Sequence, residues 1–414
     1  MTELRIHVDI AGRALSAGTA YVSVRRGRVS TTFTYDAAYL SNPAGYDLEP
    51  GLPRHSGQHY VDGLPGSFAD CAPDRWGRNL IDRRRRAAER DLAQRLPGLT
   101  DADYLIGVSD VSRQGNLRFT MGDGPFLDPY DGVPPLVSLP HLLASADAVA
   151  DRSNGDDLAA VKALLDAGSG SLGGARPKAS VRDHNGRLLI AKFPHAHDEW
   201  DVMAWEKTML DLAHSAGLGV PANRLTKVGP RSVLLLERFD RHANGDRLGY
   251  ISAMTMIGSR DGDERDYGDI AEVLPESGAA VPDDLRELFS RVVFNVAVHN
   301  TDDHLRNHGF LHQRGGWVLS PMFDVNPNPD LGQGRMTSIV GASAADEEAE
   351  ALVAFASVCR LSRTQALPII RRVASAVGRW RGAAEANGIP PREIAIFADA
   401  MTSQRQALEN LVGQ

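Results

Sequence analysis

Cysteine is almost missing from this chain of 414 residues. Cys71 and Cys359 stand far apart, too few for a disulfide scaffold and without any CxxC metal motif. A reducing cytoplasm is the expectation. No apolar run approaches the ~18 residues of a membrane span. The opening MTELRIHVDIAGR alternates where a secretory signal needs a continuous apolar stretch. Positive charge is in deficit: 45 Lys and Arg against 53 Asp and Glu leave a net charge of −8. That excludes a chain-wide polyanion-binding surface and confines any nucleic-acid contact to a local patch or a partner. A Walker A loop, a helix-turn-helix signature, a fixed-period repeat and a low-complexity tail are absent as well.

What remains is ordinary globular material. Hydrophobic residues make up 43% and charged residues 24%, enough apolar surface for a core and too much for a disordered chain. At about 150 residues per domain, two or three domains or subdomains are expected. Leu4, Ile6, Val8 and Ile10 alternate with polar residues, the period of a half-buried strand. Tyr21–Val24 and Val29–Tyr35 read as further strands around a turn at Arg25–Arg28, an antiparallel start. Residues 36–70, rich in Gly and Pro, read as loop. Pro73–Arg95 reads as a helix with Asp74 in the N-cap position.

The segment MGDGPFLDPYDGVPP (Met121–Pro135) marks a boundary. Helices are expected near 139–150 and 156–167, strands and turns over 168–240 with one helix near 199–216. Further helices are expected over Leu285–Val298, Ala345–Arg360, Arg363–Val377 and Arg392–Leu411. The layout is α+β: a β-containing N-terminal part at 1–125, a mixed part at 126–240 and a helical part at 241–414.

Four segments carry candidate chemistry. The first is HNTDDHLRNH, His299–His308, between an apolar helix pattern and the strand-like Gly309-Phe310-Leu311. Asp302 and Asn307 form D-x-x-x-x-N, the spacing of a protein-kinase catalytic loop, where the Asp takes the acceptor hydroxyl proton and the Asn holds Mg²⁺. Asp324, in LSPMFD, supplies a second carboxylate of the kind Mg²⁺ takes alongside phosphate oxygens. Two other readings stand beside this one: a polar loop with ordinary capping, and a metal hydrolase using the crowded His299, Asp302, Asp303, His304 and His308.

The second segment is GSGSLGGARPK, Gly168–Lys178, whose glycines permit close backbone approach to a phosphate; a plain flexible turn is the alternative. In the third, RLLIAKFP, Lys192 ends an apolar strand like a kinase nucleotide lysine, or is an ordinary edge lysine. Glu206 on the following helix is a candidate acidic partner for it. In the fourth, LLLERFDR, the backbone of Glu237 and Phe239 lies where a kinase hinge would meet adenine.

Together and in this order the segments resemble the HipA family of bacterial serine/threonine kinases. SLGGARPK resembles its phosphate loop, AKFP its lysine strand, LERFDR its hinge, NTDDHLRN its catalytic loop and SPMFDV its metal-binding Asp. The likeness is strong over residues 168–330; GSFADCAPDRWGRNLI and GNLRF extend it toward the N-terminus. The resemblance implies a two-lobed kinase-like core with an added N-terminal subdomain, using ATP and Mg²⁺. It makes Asp302 the base, Asn307 and Asp324 the Mg²⁺ ligands, and places His304 near the phosphates. Ser171, Gly173, Gly174, Ala175, Lys178 and Lys192 would hold the nucleotide. Ser171 would be a regulatory autophosphorylation site, with Ser169 as a substitute.

Implied partners are a HipB-like helix-turn-helix antitoxin, operator DNA through that antitoxin, and a protein substrate such as an aminoacyl-tRNA synthetase. Tyr250–Leu274 departs from the family's toxins, and GSLGG carries an extra glycine. A non-catalytic corepressor and a small-molecule phosphotransferase are the competing functions. Residues 75–95 hold eight Arg and three acids, which read as a solvated helix face or as a surface for DNA or an acidic partner.

Overall fold

The computed structural model describes residues 1–128, 133–151, 158–169, 176–313 and 315–413. The chain forms two compact units, one of residues 1–197 and 226–251, the other of residues 198–225 and 252–414.

The first unit opens with a five-stranded antiparallel sheet in the order β4-β3-β2-β1-β5. Its strands are β1 (Thr2–Ile10), β2 (Arg13–Arg25), β3 (Arg28–Tyr35), β4 (Gln58–Asp62) and β5 (Leu117–Met121). The alternation in β1 sends Leu4, Ile6 and Val8 into the core, as the period-two pattern requires. Both leading hairpins turn on two residues with positive φ: Ala11-Gly12 at 51° and 74°, Arg26-Gly27 at 52° and 79°. Such loops match the right-handed twist of the flanking strands. Phe33, Phe68 and Phe119 meet edge to face beneath the sheet, with centroids 5.8 Å and 5.4 Å apart.

The same unit holds a second sheet, order β6-β7-β9-β8, of β6 (Lys178–Arg182), β7 (Leu188–Lys192), β8 (Asn223–Val228) and β9 (Arg231–Glu237). Helices Arg75–Leu92, Leu139–Ala150 and Leu158–Asp166 share its apolar core, in which Leu80, Leu142, Val161, Leu164, Ala191 and Val233 are buried.

The second unit is mainly helical. At its centre is Val281–Ala297, buried on every side from Leu288 onward, as a helix enclosed by others must be. Helices Tyr267–Ser277, Glu348–Val358, Arg363–Val377 and Ala398–Gly413 pack against it, and Val202–Ser215 packs against Arg363–Val377. An antiparallel hairpin, Gly309–Gln313 with Gly316–Leu319, follows the central helix. Among the described residues no helix is long and apolar enough to cross a membrane.

Two expectations need correction. Residues 36–70 are not all loop: they contain β4, which pairs with β3, and two one-turn helices, Ala37–Leu40 and Gly66–Ala69. These elements are too short to show a period. The helix expected over Arg392–Leu411 divides into Pro391–Ile396 and Ala398–Gly413. Phe397 sits at the break, fully buried, with its ring 4.1 Å from that of Trp205. Asp74 occupies the N-cap position of Arg75–Leu92, as expected, without a side-chain capping bond.

Candidate functional site

The central helix Val281–Ala297 ends in a Schellman cap. His299 N–H donates to Val296 O (3.0 Å) and Asn300 N–H to Asn295 O (2.8 Å). The left-handed position of such a cap usually carries Gly; here it is His299 at φ 51°. Its side chain is used elsewhere: Nε2 donates to Asp330 O (2.9 Å), while Asn328 N–H donates to His299 O (2.9 Å). The cap therefore turns the chain out of the helix and ties it to the segment beyond Asp324.

The next residues are held backbone by backbone. Arg335 Nη1 donates to Asn300 O (2.7 Å), Met336 N–H to Thr301 O (3.0 Å), and Thr337 Oγ1 to Asp303 O (2.7 Å). Arg335 is itself fixed by a fully buried two-pronged pair with Glu348, at 2.7 Å and 3.1 Å.

Asp302 and Asp303 part company here. Asp303 is buried and accepts from Tyr267 Oη (2.5 Å), Asn295 Nδ2 (2.6 Å) and His308 Nε2 (2.9 Å). Burial pushes its carboxyl up. The charge and hydrogen bond of His308, the Tyr267 hydroxyl and Arg335 outweigh that and hold it below the ordinary carboxylate value. Burial, then the Asp303 charge, drives the Tyr267 phenol well above its ordinary value, so it stays a donor. Asp302, one residue earlier, is exposed.

Asn307 closes the loop. It ends a single 3₁₀ turn, Leu305–Asn307, with its N–H on His304 O (2.8 Å). Its Nδ2 donates to Asp302 O (3.1 Å), which assigns the other side-chain atom, Oδ1, as the acceptor end. Among the described residues Oδ1 accepts no hydrogen bond. His304 is half-buried, and its Nδ1 is buried without a hydrogen-bond partner among the described residues.

Asp324 lies past the hairpin, on a segment anchored by Ser320 N–H to Gly309 O (2.8 Å) and Met322 N–H to Gly219 O (2.7 Å). Asp324 is partly exposed and left-handed, with φ 58°. Non-glycine residues in that region concentrate where their side chains are used.

Asn307 Oδ1 and the Asp324 carboxylate are hard oxygen donors, the class Mg²⁺ takes, so the residues present fit such an ion. The metal-hydrolase arrangement does not form. His299 and His308 are committed to Asp330 O and Asp303, and no group of three His, Cys, Asp or Glu able to hold a metal occurs among the described residues.

In the first unit, β6 and β7 place Lys178 and Lys192 directly opposite one another, both buried. The chain enters the Gly-rich segment through Gly168, at φ 67°, where an added Cβ would lie 2.6 Å from Ser112 Cβ. Ser169 follows, fully buried, its hydroxyl donated to Lys178 O. The substitute phosphosite Ser169 thus anchors the entry to the segment in this structure. Ser171, Gly173, Gly174 and Ala175 lie outside the described residues.

Glu237 ends β9 opposite Leu189, and its carboxylate pairs with Arg187 (2.9 Å). The ring of Phe239 lies 6.2 Å from that of Tyr250. The turn after Glu237 is set by a network that sequence reasoning missed. Arg238 grips Asp240 at 2.8 Å and 2.6 Å, Arg241 reaches the same carboxylate (2.8 Å), and Gly115 N–H donates to it (2.8 Å). Burial pushes the Asp240 carboxyl up, but Arg238 and Arg241 hold it far below its usual range. The alternating charges of RFDR were the only advance signal. Glu206 is buried on Val202–Ser215.

The basic stretch is largely one face of Arg75–Leu92. Arg78 pairs with Asp101 (2.7 Å) and Arg85 donates to Pro97 O (2.9 Å), so both serve local packing, while Arg75, Arg84, Arg86 and Arg90 are exposed.

Outside residues 170–175, the segments thus have described places in the fold. The model of the HipA-like C-terminal domain matches residues 170–380, and that of the HipA N-terminal domain matches residues 16–102. The fold is that of the HipA chain in the complex of HipA, HipB and operator DNA from Shewanella oneidensis MR-1. The TM-score is 0.70 at 18% identity, over 98% of this chain and 97% of that one. The Sinorhizobium fredii protein named "Putative kinase Y4mE" is 25% identical over 200 residues, which span 44% of each chain. With the C-terminal model covering just over half of the residues and the N-terminal model preceding it, this chain belongs to the HipA family.

Proposed function

We propose that this chain is a HipA-type kinase that transfers the γ-phosphate of Mg-ATP to a serine or threonine hydroxyl of a protein. The observation that carries the reading is the turn Asp302–Asn307. It turns one carboxylate outward and pins an amide beside it with the oxygen end left open, the two groups phosphoryl transfer needs together.

Asp302 accepts the hydrogen bond of the acceptor hydroxyl and aims its oxygen. Asn307 Oδ1 and Asp324 are the groups that would hold Mg²⁺, which when bound neutralises charge on the transferring phosphate. Lys192 and Lys178 supply positive charge for the nucleotide phosphates, with the Gly-rich segment donating backbone N–H groups. His304 stands near the phosphates. The backbone of Glu237 and Phe239 meets the adenine. Because this chemistry is positioning and charge neutralisation, the buried supports of the loop matter as much as the groups that face out.

Ser171 is the proposed site of self-inhibition. A phosphoryl group there adds close to two negative charges where ATP phosphates belong, and repels them. A HipB-like antitoxin is the proposed partner, with operator DNA reached mainly through it, by likeness to the Shewanella complex. An aminoacyl-tRNA synthetase is the first protein substrate to try.

The test is transfer of labelled γ-phosphate from Mg-ATP with the full chain and with Asp302→Ala, followed by mass spectrometry. Labelled protein with the full chain, absent with the variant, is the expected result. Equal labelling with both removes Asp302 from its role. No labelling of the chain or of lysate proteins overturns the kinase reading.

A further inference from the structure

The segment that clamps the Asp302 loop has a second face. Residues 335–340 alternate without a break: Arg335, Thr337 and Ile339 are buried, whereas Met336 is 58% exposed and Val340 47% exposed. The inward side is fully occupied. Arg335 holds Glu348 and Asn300 O, Thr337 holds Asp303 O, and Ile339 is in the core. The outward side presents two large apolar side chains on one face, roughly 13 Å apart at ~3.3 Å per extended residue.

Position and rigidity give this face a meaning. Met336 N–H donates to Thr301 O (3.0 Å), so the face begins beside the residue that precedes Asp302. Its far end is a tight turn. Ile339 and Ala342 exchange both backbone bonds (2.8 Å and 3.0 Å) around Val340 and Gly341, at φ 50° and 86°. The turn is tethered: Gly341 N–H and Ser338 Oγ donate to the Asp266 carboxylate at 2.9 Å and 2.6 Å. Asn or Gly suits the first position of such a turn, and a β-branched residue there is strained. Val340 is half in solvent, so core packing does not explain a β-branched residue at that position. Backbone strain held at a rigid, exposed apolar residue marks a side chain in use.

We propose that Met336 and Val340 seat the polypeptide that presents its hydroxyl to Asp302, and that the preferred acceptor carries a large apolar side chain close to the Ser or Thr. This rests on the kinase reading and adds to it the chemistry of the acceptor. Its two exposed large side chains are apolar, and the nearby Asp266 carboxylate is taken up by Ser338 Oγ and Gly341 N–H, so the face selects chiefly by apolar burial.

The test is a positional-scanning peptide library around one central Ser or Thr, with Mg-ATP and the full chain as wild type, Met336→Glu and Val340→Asn. Wild type is expected to enrich Leu, Ile, Met or Phe at a flanking position. Each variant is expected to lower kcat/KM on the apolar-flanked peptide by roughly tenfold, chiefly through KM. Met336→Glu should shift selection at that position toward Lys and Arg. Val340→Asn should raise Tm, because Asn adopts the left-handed backbone more readily. Weaker acceptor use in a more stable protein separates recognition from damage. Transfer without any flanking preference overturns the inference, as does an unchanged preference in Met336→Glu, or transfer to folded proteins with no peptide accepted. No transfer to any acceptor, the chain itself included, overturns the kinase reading instead, and this inference with it.

Discussion

Asn307 donates its side-chain amide to the backbone carbonyl of Asp302 at 3.1 Å, which closes the turn between them into one hydrogen-bonded ring. Asn307→Ala removes both the ring closure and the oxygen ligand. Phosphoryl transfer should fall at least 100-fold, in line with the loss of a preorganised electrostatic group. Stability should change by only about 0.5–1.5 kcal/mol, the worth of one such bond. Urea unfolding beside the transfer assay checks both. Near-normal transfer would show that the ring carries no chemistry.

The pair Arg335–Glu348 is buried at both ends and holds the carbonyl of Asn300. Glu348→Gln leaves a guanidinium without its counter-charge and should cost about 3–5 kcal/mol. The double replacement Arg335→Met with Glu348→Leu should recover much of that stability, because removing both charges removes the desolvation penalty. It should not recover transfer, because the clamp on the loop is gone. Denaturation midpoints and transfer rates of the three proteins decide it.

Asp284 offers a pH signature away from the site. Its Oδ1 accepts from Leu319 N–H (3.1 Å), while Oδ2 is buried without a hydrogen-bond partner among the described residues. Burial pushes its carboxyl up to about 6. A carboxyl raised on folding stabilises below its unfolded value, and that contribution is lost as pH rises through the folded one. Stability from this residue should therefore decline from about pH 4 to pH 7. Asp284→Asn, which keeps the acceptor and stays neutral, should gain about 1–3 kcal/mol over wild type at pH 7 and little near pH 4. Parallel pH-dependent unfolding curves for the two proteins would refute this.

Gly168 combines positive φ with a near approach to Ser112. Gly168→Ala should destabilise by about 2 kcal/mol or more, through left-handed strain and overpacking together. It should also loosen the Ser169–Lys178 anchor and weaken ATP binding, read by titration with a fluorescent nucleotide. Gly186, equally left-handed but with open space around its Cβ position, is the control: Gly186→Ala should cost distinctly less.

The comparison of sequence with structure turns on a few residues. The β1 alternation and the helix over Arg363–Val377 were legible because each is a local pattern of spacing and residue type. β4 was not, because five residues among Gly and Pro have no period to read. The break at Phe397 was not either, because the rings of Trp200 and Trp205, nearly two hundred residues earlier, are what make burying Phe397 worth ending a helix.

By itself the sequence determined which residue types exist and in what order, and so the chemistry open to this chain: no disulfides, a candidate base five residues before a candidate metal ligand, a later carboxylate. It did not determine how differently two adjacent carboxylates are housed. Asp302 and Asp303 are alike until Tyr267, Asn295 and His308, drawn from three separate elements, converge on the second and leave the first in solvent. That choice belongs to tertiary structure, because a buried charge survives only where distant groups supply its hydrogen bonds, and local spacing cannot say which groups arrive.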